Sequence, residues 1–292
     1  MGQWEPLQSA TVAATAAPTS SSVPVPVQRN GFRYLPAERQ PWVTEDAYRR
    51  AISPVALSRY DRSAAVTLAE GHLSATGSSV GYRSVAATES VLTGDWYFEL
   101  VWTGGEASAL RFGVALVGAE MCGPLGFDAF GWAWCSSGHL YHSGEKTACA
   151  AGFGRDSVLG CRIRLPSLAP EDETRILTNP PRRKAVSYFG TYLEESLPKK
   201  STSGAPPGGG RIDFYRDGRP TGVSFAGLPI GSMYYPTISL YRDATVHINF
   251  GPEFVSPPTA ASGAEPFCSV VRKSVVASAL AELKDLQAYN KP

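Results

Sequence analysis

A chain of 292 residues with 43% hydrophobic content is long enough to bury one substantial core or two small ones. Its 29 Gly, 23 Pro, 12 Phe, 13 Tyr and 6 Trp favour many short strands joined by tight turns and argue against a helical bundle. Lys and Arg number 27 against 26 Asp and Glu, so a net charge of +1 supplies no global field toward nucleic acid or anionic lipid, and any polyanion contact is local.

Residues 1–30 are rich in Ala, Ser, Thr, Pro and Val with little charge. Such a composition does not bury enough apolar area to offset ordering, and it reads as a disordered leader. It has no apolar run of signal-peptide length, and no stretch of the chain approaches the roughly 18 apolar residues of a membrane span, so neither is expected. A folded domain is expected over 31–258, with short runs separated by Gly, Ser, Asp or Pro from about residue 64.

The clearest strand is Asp95-Trp-Tyr-Phe-Glu-Leu-Val-Trp102, where Trp96, Phe98, Leu100 and Trp102 share one face at period two. Further strands are expected near 109–117, 131–135, 139–142, 157–165, 186–192, 211–216, 221–225 and 244–250. With no helical period between them, they pair antiparallel, because parallel strands need long crossovers. Asp217-Gly218 marks a tight hairpin turn, since both residues tolerate positive φ.

The loosest region is 166–210, read as long mobile loops flanking one strand near Val186–Tyr192. Its basic residues Arg182, Arg183, Lys184, Lys199 and Lys200 have the charge and reach for phosphate contacts, although a solvated loop balanced by nearby acids accounts for them equally. Pro257 and Pro258 end the sheet, and 259–268 reads as a linker. Over 269–290 the period becomes helical: Val276, Ala279, Leu280, Leu283 and Leu286 form one stripe, widened by Val271 and Val275. Either the domain itself or a partner covers that stripe.

Candidate chemistry is thin. Gly77-Ser-Ser-Val-Gly81 matches the G-x-S-x-G of serine hydrolases, with Ser79 in the nucleophile's place, but a strand and not a helix follows it. Cys135, His139, His142 and Cys149 are ligand types suited to zinc, at a spacing that is not a zinc motif, and alternation places Cys135, His139 and His142 on mixed faces. The five cysteines are odd in number and include no C-x-x-C, which fits a reducing compartment better than a disulfide scaffold. Neither a dinucleotide fingerprint nor a phosphate-loop Lys occurs, and no paired carboxylates stand out. No catalytic residue, metal or cofactor is expected.

Five motifs in order, Gly94-Asp-Trp-Tyr-Phe-Glu99, Asp156-Ser-Val-Leu-Gly-Cys161, Phe214-Tyr-Arg-Asp-Gly218, Tyr235-Pro-Thr-Ile-Ser-Leu240 and Ile248-Asn-Phe-Gly251, resemble the SPRY domain. Gly31-Phe-Arg-Tyr-Leu-Pro-Ala-Glu38, Gly123-Pro-Leu-Gly-Phe-Asp128, Trp132-Ala-Trp134 and Asn249-Phe-Gly-Pro-Glu-Phe254 are similar to the Ash-two (in fungi, Bre-two) subunits of COMPASS and MLL-type histone H3 lysine methyltransferases.

The resemblance implies an all-β, SPRY-type antiparallel β-sandwich with a short C-terminal amphipathic helix. It further implies a nuclear, non-catalytic scaffold that promotes methylation by a SET-domain methyltransferase, with no membrane association. The expected partners are a WD-repeat subunit of the retinoblastoma-binding protein five type on the SPRY face and a Dpy-thirty (Sdc-one) type dimer on the C-terminal helix. A weak nucleosomal DNA contact would be auxiliary.

By motif, the partner-binding positions of the family fall on Tyr82, Arg111, Pro124 and Phe127, and a further family Arg falls on Cys135. Phe127 keeps a ring but lacks the family's hydroxyl, and Cys135 lacks a bidentate cation. On its own merits Arg111 is open to a plainer reading, a surface ion pair with Glu or Asp. The rival function is a SPRY substrate-recognition module of a ubiquitin ligase, or another peptide-binding adaptor.

Overall fold

The computed structural model describes residues 55–78, 81–149, 152–178, 185–188, 191–194, 209–259 and 263–270. Ser79, the basic residues at 182–184 and 199–200, and the helix positions from Val271 onward lie outside the described residues. Ser269 and Val270, just before them, are helical.

In chain order the strands are β1 (Leu57–Arg62), β2 (Thr67–Leu68), β3 (Ser74–Thr76), β4 (Tyr82–Ala87), β5 (Gly94–Thr103), β6 (Ala109–Ala115), β7 (Gly131–Cys135), β8 (His139–His142), β9 (Glu145–Ala148) and β10 (Val158–Leu165). After helix α1 (Pro170–Thr178) come β11 (Ala185–Tyr188), β12 (Thr191–Glu194), β13 (Gly210–Arg216), β14 (Arg219–Leu228), β15 (Tyr235–Tyr241), β16 (Thr245–Asn249) and β17 (Glu265–Pro266). One sheet has the order β1-β4-β15-β6-β7-β8-β9 and the other β14-β13-β10-β5-β16-β3-β2. Their long pairings are antiparallel.

The core lies between the two sheets, and period-two alternation fills it. From one sheet come Leu110, Phe112, Trp134, Ile238 and Leu240; from the other Phe98, Leu100, Ile163, Phe214 and Ile248. Phe98 meets Phe112 edge-on at 5.4 Å, and Phe112 meets Phe214 at 6.0 Å, so aromatic contacts cross the layer. The β13–β14 turn is tight as expected: Asp217 and Gly218 both take positive φ, 51° and 74°. On β5 the alternate face is covered too. Tyr97 is buried there beneath Tyr215 and Phe254.

The structure departs from the sequence reading in three places. Within 166–210, Pro170–Thr178 is helical, with Pro170 and the acids Glu171, Asp172 and Glu173 in its first turn. An acid run that looks like a solvated loop is therefore the favourable N-terminal turn of a helix. The single strand expected near 186–192 is two, β11 and β12, which among the described residues pair with each other and with no other strand. Residues 265–268, within the segment read as a linker, instead join the sandwich. There β17 pairs in parallel with β5, and Phe267 is fully buried. Among the described residues, no helix is long and apolar enough to cross a membrane.

Candidate functional site

The outer face of the first sheet, across β4, β15, β6 and β7, carries the positions singled out by motif. Arg111 stands opposite Ser239 on one side and Cys135 on the other, while Tyr82 stands opposite Tyr241. Alternation sends Leu110, Phe112 and Trp134 inward and these residues outward.

The 116–130 loop lies across this face. It packs Ala119, Met121 and Leu125 against Ala86, Ala115 and Ala133, small side chains that let the loop approach the sheet. Ser84 Oγ donates to the Gly123 carbonyl at 2.8 Å, and the Leu125 amide donates to Ser239 Oγ at 2.8 Å. These two bonds flank Pro124 and fix it beside β4 and β15. Gly126 has φ 81°, and a Cβ there would lie 2.4 Å from the Tyr141 carbonyl oxygen, so only glycine fits. Phe127 closes the turn, its amide donating to the Pro124 carbonyl at 3.0 Å, and keeps 45% of its surface exposed.

Arg111 is the centre of the face. Only 8% exposed, it has its guanidinium carbon 3.6 Å from the Tyr141 ring centroid and 5.0 Å from that of Tyr82. Its Nη1 donates to the Leu125 carbonyl at 2.8 Å, while Nε is buried without a hydrogen-bond partner. This is not the surface ion pair of the plainer reading. It is a desolvated cation held by two rings and one carbonyl, with a donor to spare. Leaving such a donor unpaired costs about 1–3 kcal/mol.

Burial pushes the Tyr82 phenol well above its usual range; Cys135 acts in the same direction and Arg111 opposes it. The hydroxyl therefore stays protonated at neutral pH and lies 3.9 Å from Cys135 Sγ. Cys135 is 3% exposed and accepts from Ser137 Oγ at 3.3 Å. The face thus offers rings, one buried cation and a protruding Phe.

The other candidates do not converge. Cys135 pairs with His139, but His142 stacks on Trp132 at 4.5 Å with Nδ1 2.9 Å from the Gly131 carbonyl oxygen, and Cys149 packs against the inner core. Among the described residues, no three His, Cys, Asp or Glu side chains are grouped to hold a metal ion. The 77–81 glycine motif leads into strand β4.

Two residues of this face were not read from the sequence, Tyr141 and Tyr241. Their signal was present. The Cys135-to-His139 hairpin places Tyr141, two residues on, over the same face, and Tyr241 ends a strand already recognised. The Tyr82 and Tyr241 rings lie 5.0 Å apart.

No protein-family model matches the chain. Among curated proteins it is 29% identical over 293 residues to the Caenorhabditis elegans Set1/Ash2 histone methyltransferase complex subunit ash-2, covering 87% of this chain and 49% of that protein. It is 30% identical over 256 residues to the Drosophila melanogaster Set1/Ash2 histone methyltransferase complex subunit ASH2, covering 80% of this chain and 45% of that one. A Schizosaccharomyces pombe Set1 complex component, ash2, is 26% identical over 305 residues, covering 89% and 46%.

The chain thus spans about half the length of these curated relatives. Similar solved structures include the SPRY domain of human HERC1 (14% identity, TM-score 0.45, 68% of this chain and 100% of that one) and the TRIM65 PSpry domain (14%, TM-score 0.41, 73% and 98%). Over the length they share, this chain is a relative of the Ash2-type subunits named for Set1 histone methyltransferase complexes, as its motifs implied.

Proposed function

We propose that this chain is a non-catalytic scaffold subunit of a nuclear histone H3 lysine-four methyltransferase complex. Its outer sheet face binds the WD-repeat subunit, its C-terminal helix binds a Dpy-thirty type dimer, and together they promote methylation by the SET-domain subunit. The names of its relatives support complex membership. The observation that carries the binding face is Arg111, desolvated between two tyrosine rings with a buried N–H unfilled. A protein that only needed to fold would have little reason to keep such a group.

Titration of the purified chain with the WD-repeat subunit tests the reading. One charge-assisted hydrogen bond is worth about 1.5–3 kcal/mol, so Arg111→Ala should weaken binding about ten- to hundredfold. Phe127→Ala, which removes an exposed ring, should weaken it without lowering thermal stability. Unchanged Kd in both variants would show that the partner binds elsewhere.

A further inference from the structure

The cation and ring contacts on the outer face continue past Arg111. The Arg111 guanidinium lies 5.0 Å from the Tyr82 ring, the Tyr82 and Tyr241 rings meet tilted at 5.0 Å, and Arg242 lies 5.2 Å over Tyr241. The row therefore ends in a guanidinium at each side of a tyrosine pair. Arg242 sits at φ 57°, a left-handed conformation sparsely occupied by residues other than glycine, in the turn that follows β15.

Neither cation is neutralised: among the described residues, no carboxylate forms an ion pair with Arg111 or Arg242. Asp243, the next residue, places its carboxylate elsewhere, 2.1 Å from where a Cβ on Gly105 would stand. Arg242 itself is exposed. The two arginines differ in kind: Arg111 is desolvated and short of an acceptor, whereas Arg242 is solvated and available for a longer-range contact.

We infer that Arg242 is the second cation of this binding face and takes a second acidic group of the same partner segment that Arg111 engages. The inference rests on the proposed reading of that face. It also accounts for Cys135, which stands where the resemblance expects an arginine. This chain's second guanidinium comes from the turn after β15, at the opposite side of Arg111 from β7. The three contacts of 5.0, 5.0 and 5.2 Å set an upper bound on the separation of the two guanidinium carbons, and an extended chain advances about 3.3–3.6 Å per residue, so two carboxylates within about four residues of each other reach both. The occupant is an extended segment with that acidic spacing.

The test is titration with the WD-repeat subunit at low and high salt, using wild type, Arg242→Asn, Arg242→Lys and Arg111→Ala. Asn is chosen because it tolerates the left-handed backbone. Arg242→Asn should weaken binding about two- to fivefold, the range of an exposed ion pair, and flatten the salt dependence, while Arg242→Lys should retain both. Substituting partner acids one at a time should identify one whose loss is non-additive with Arg242→Asn, within about four residues of the one coupled to Arg111.

If wild type binds, Arg111→Ala weakens it and Arg242→Asn matches wild type at low salt, this inference is wrong and the binding face stands. Loss with Arg242→Asn but none with Arg111→Ala overturns the shared row. Absence of wild-type binding overturns both readings.

Discussion

Two buried or half-buried carboxylates show how differently one functional group can be housed. Glu99, 1% exposed on β5, accepts from Asn249 Nδ2 at 3.0 Å, from the Val255 amide at 2.5 Å and from the Ser256 amide at 3.2 Å. Three donors replace a counter-cation and fasten the chain after β16 to the sheet. Glu89, between β4 and β5, has no such set among the described residues; burial pushes its carboxyl above the usual range. The native state then holds that proton more tightly than the unfolded chain does. Its contribution is present below the unfolded pKa and is lost as pH rises through the native one. Glu89→Gln should therefore raise the urea midpoint at neutral pH and leave it unchanged at a pH below the glutamate range. Equal midpoints at both would show that Glu89 ionises freely. Arg111 is the cationic counterpart, buried with one donor unfilled.

At the scale of elements, the residues that follow the last long strand are part of the sandwich. The Phe267 amide donates to the Tyr97 carbonyl at 3.0 Å, and its ring lies 5.7 Å from both Phe98 and Phe250. Phe267→Ala should cost about 3–5 kcal/mol in chemical denaturation, as for other fully buried aromatics. A loss below about 1 kcal/mol would match an exposed linker. The segment was hard to read because its strand is two residues long and pairs in parallel, leaving no alternation to detect. β1 was obscured differently. Its register moves from Leu57↔Ala87 to Arg62↔Val85, so an irregular strand carries Ser58, Arg59, Tyr60 and Asp61 between its anchors. Helix α1 was hidden by its own acids, which serve the first turn.

For the whole molecule, the proposed scaffold role divides between two separable surfaces. The sheet face is assembled from β4, β15, β6, β7 and β8, and the apolar stripe from Val271 to Leu286 lies beyond the described residues. If that stripe docks in a partner's apolar groove, Leu280→Glu with Leu283→Glu should abolish capture of a Dpy-thirty type dimer, because charge does not enter such a groove unpaired. WD-repeat binding should persist in the same variant. Retained dimer capture would instead mean that the dimer docks elsewhere.

The amino-acid sequence alone determined the all-β class, the inward face of β5, the Asp217-Gly218 turn and the Ash2-type motifs. All of these depend on period-two alternation, turn chemistry or short runs, interactions among near neighbours in the chain. Tertiary structure alone decided that Arg111 lies between Tyr82 and Tyr141, that Arg242 ends the same row, and that Phe267 belongs to the core. The physical reason is the strand order. β15 inserts between β4 and β6, bringing together residues far apart in sequence, and periodicity within any one strand says nothing of which strand lies beside it.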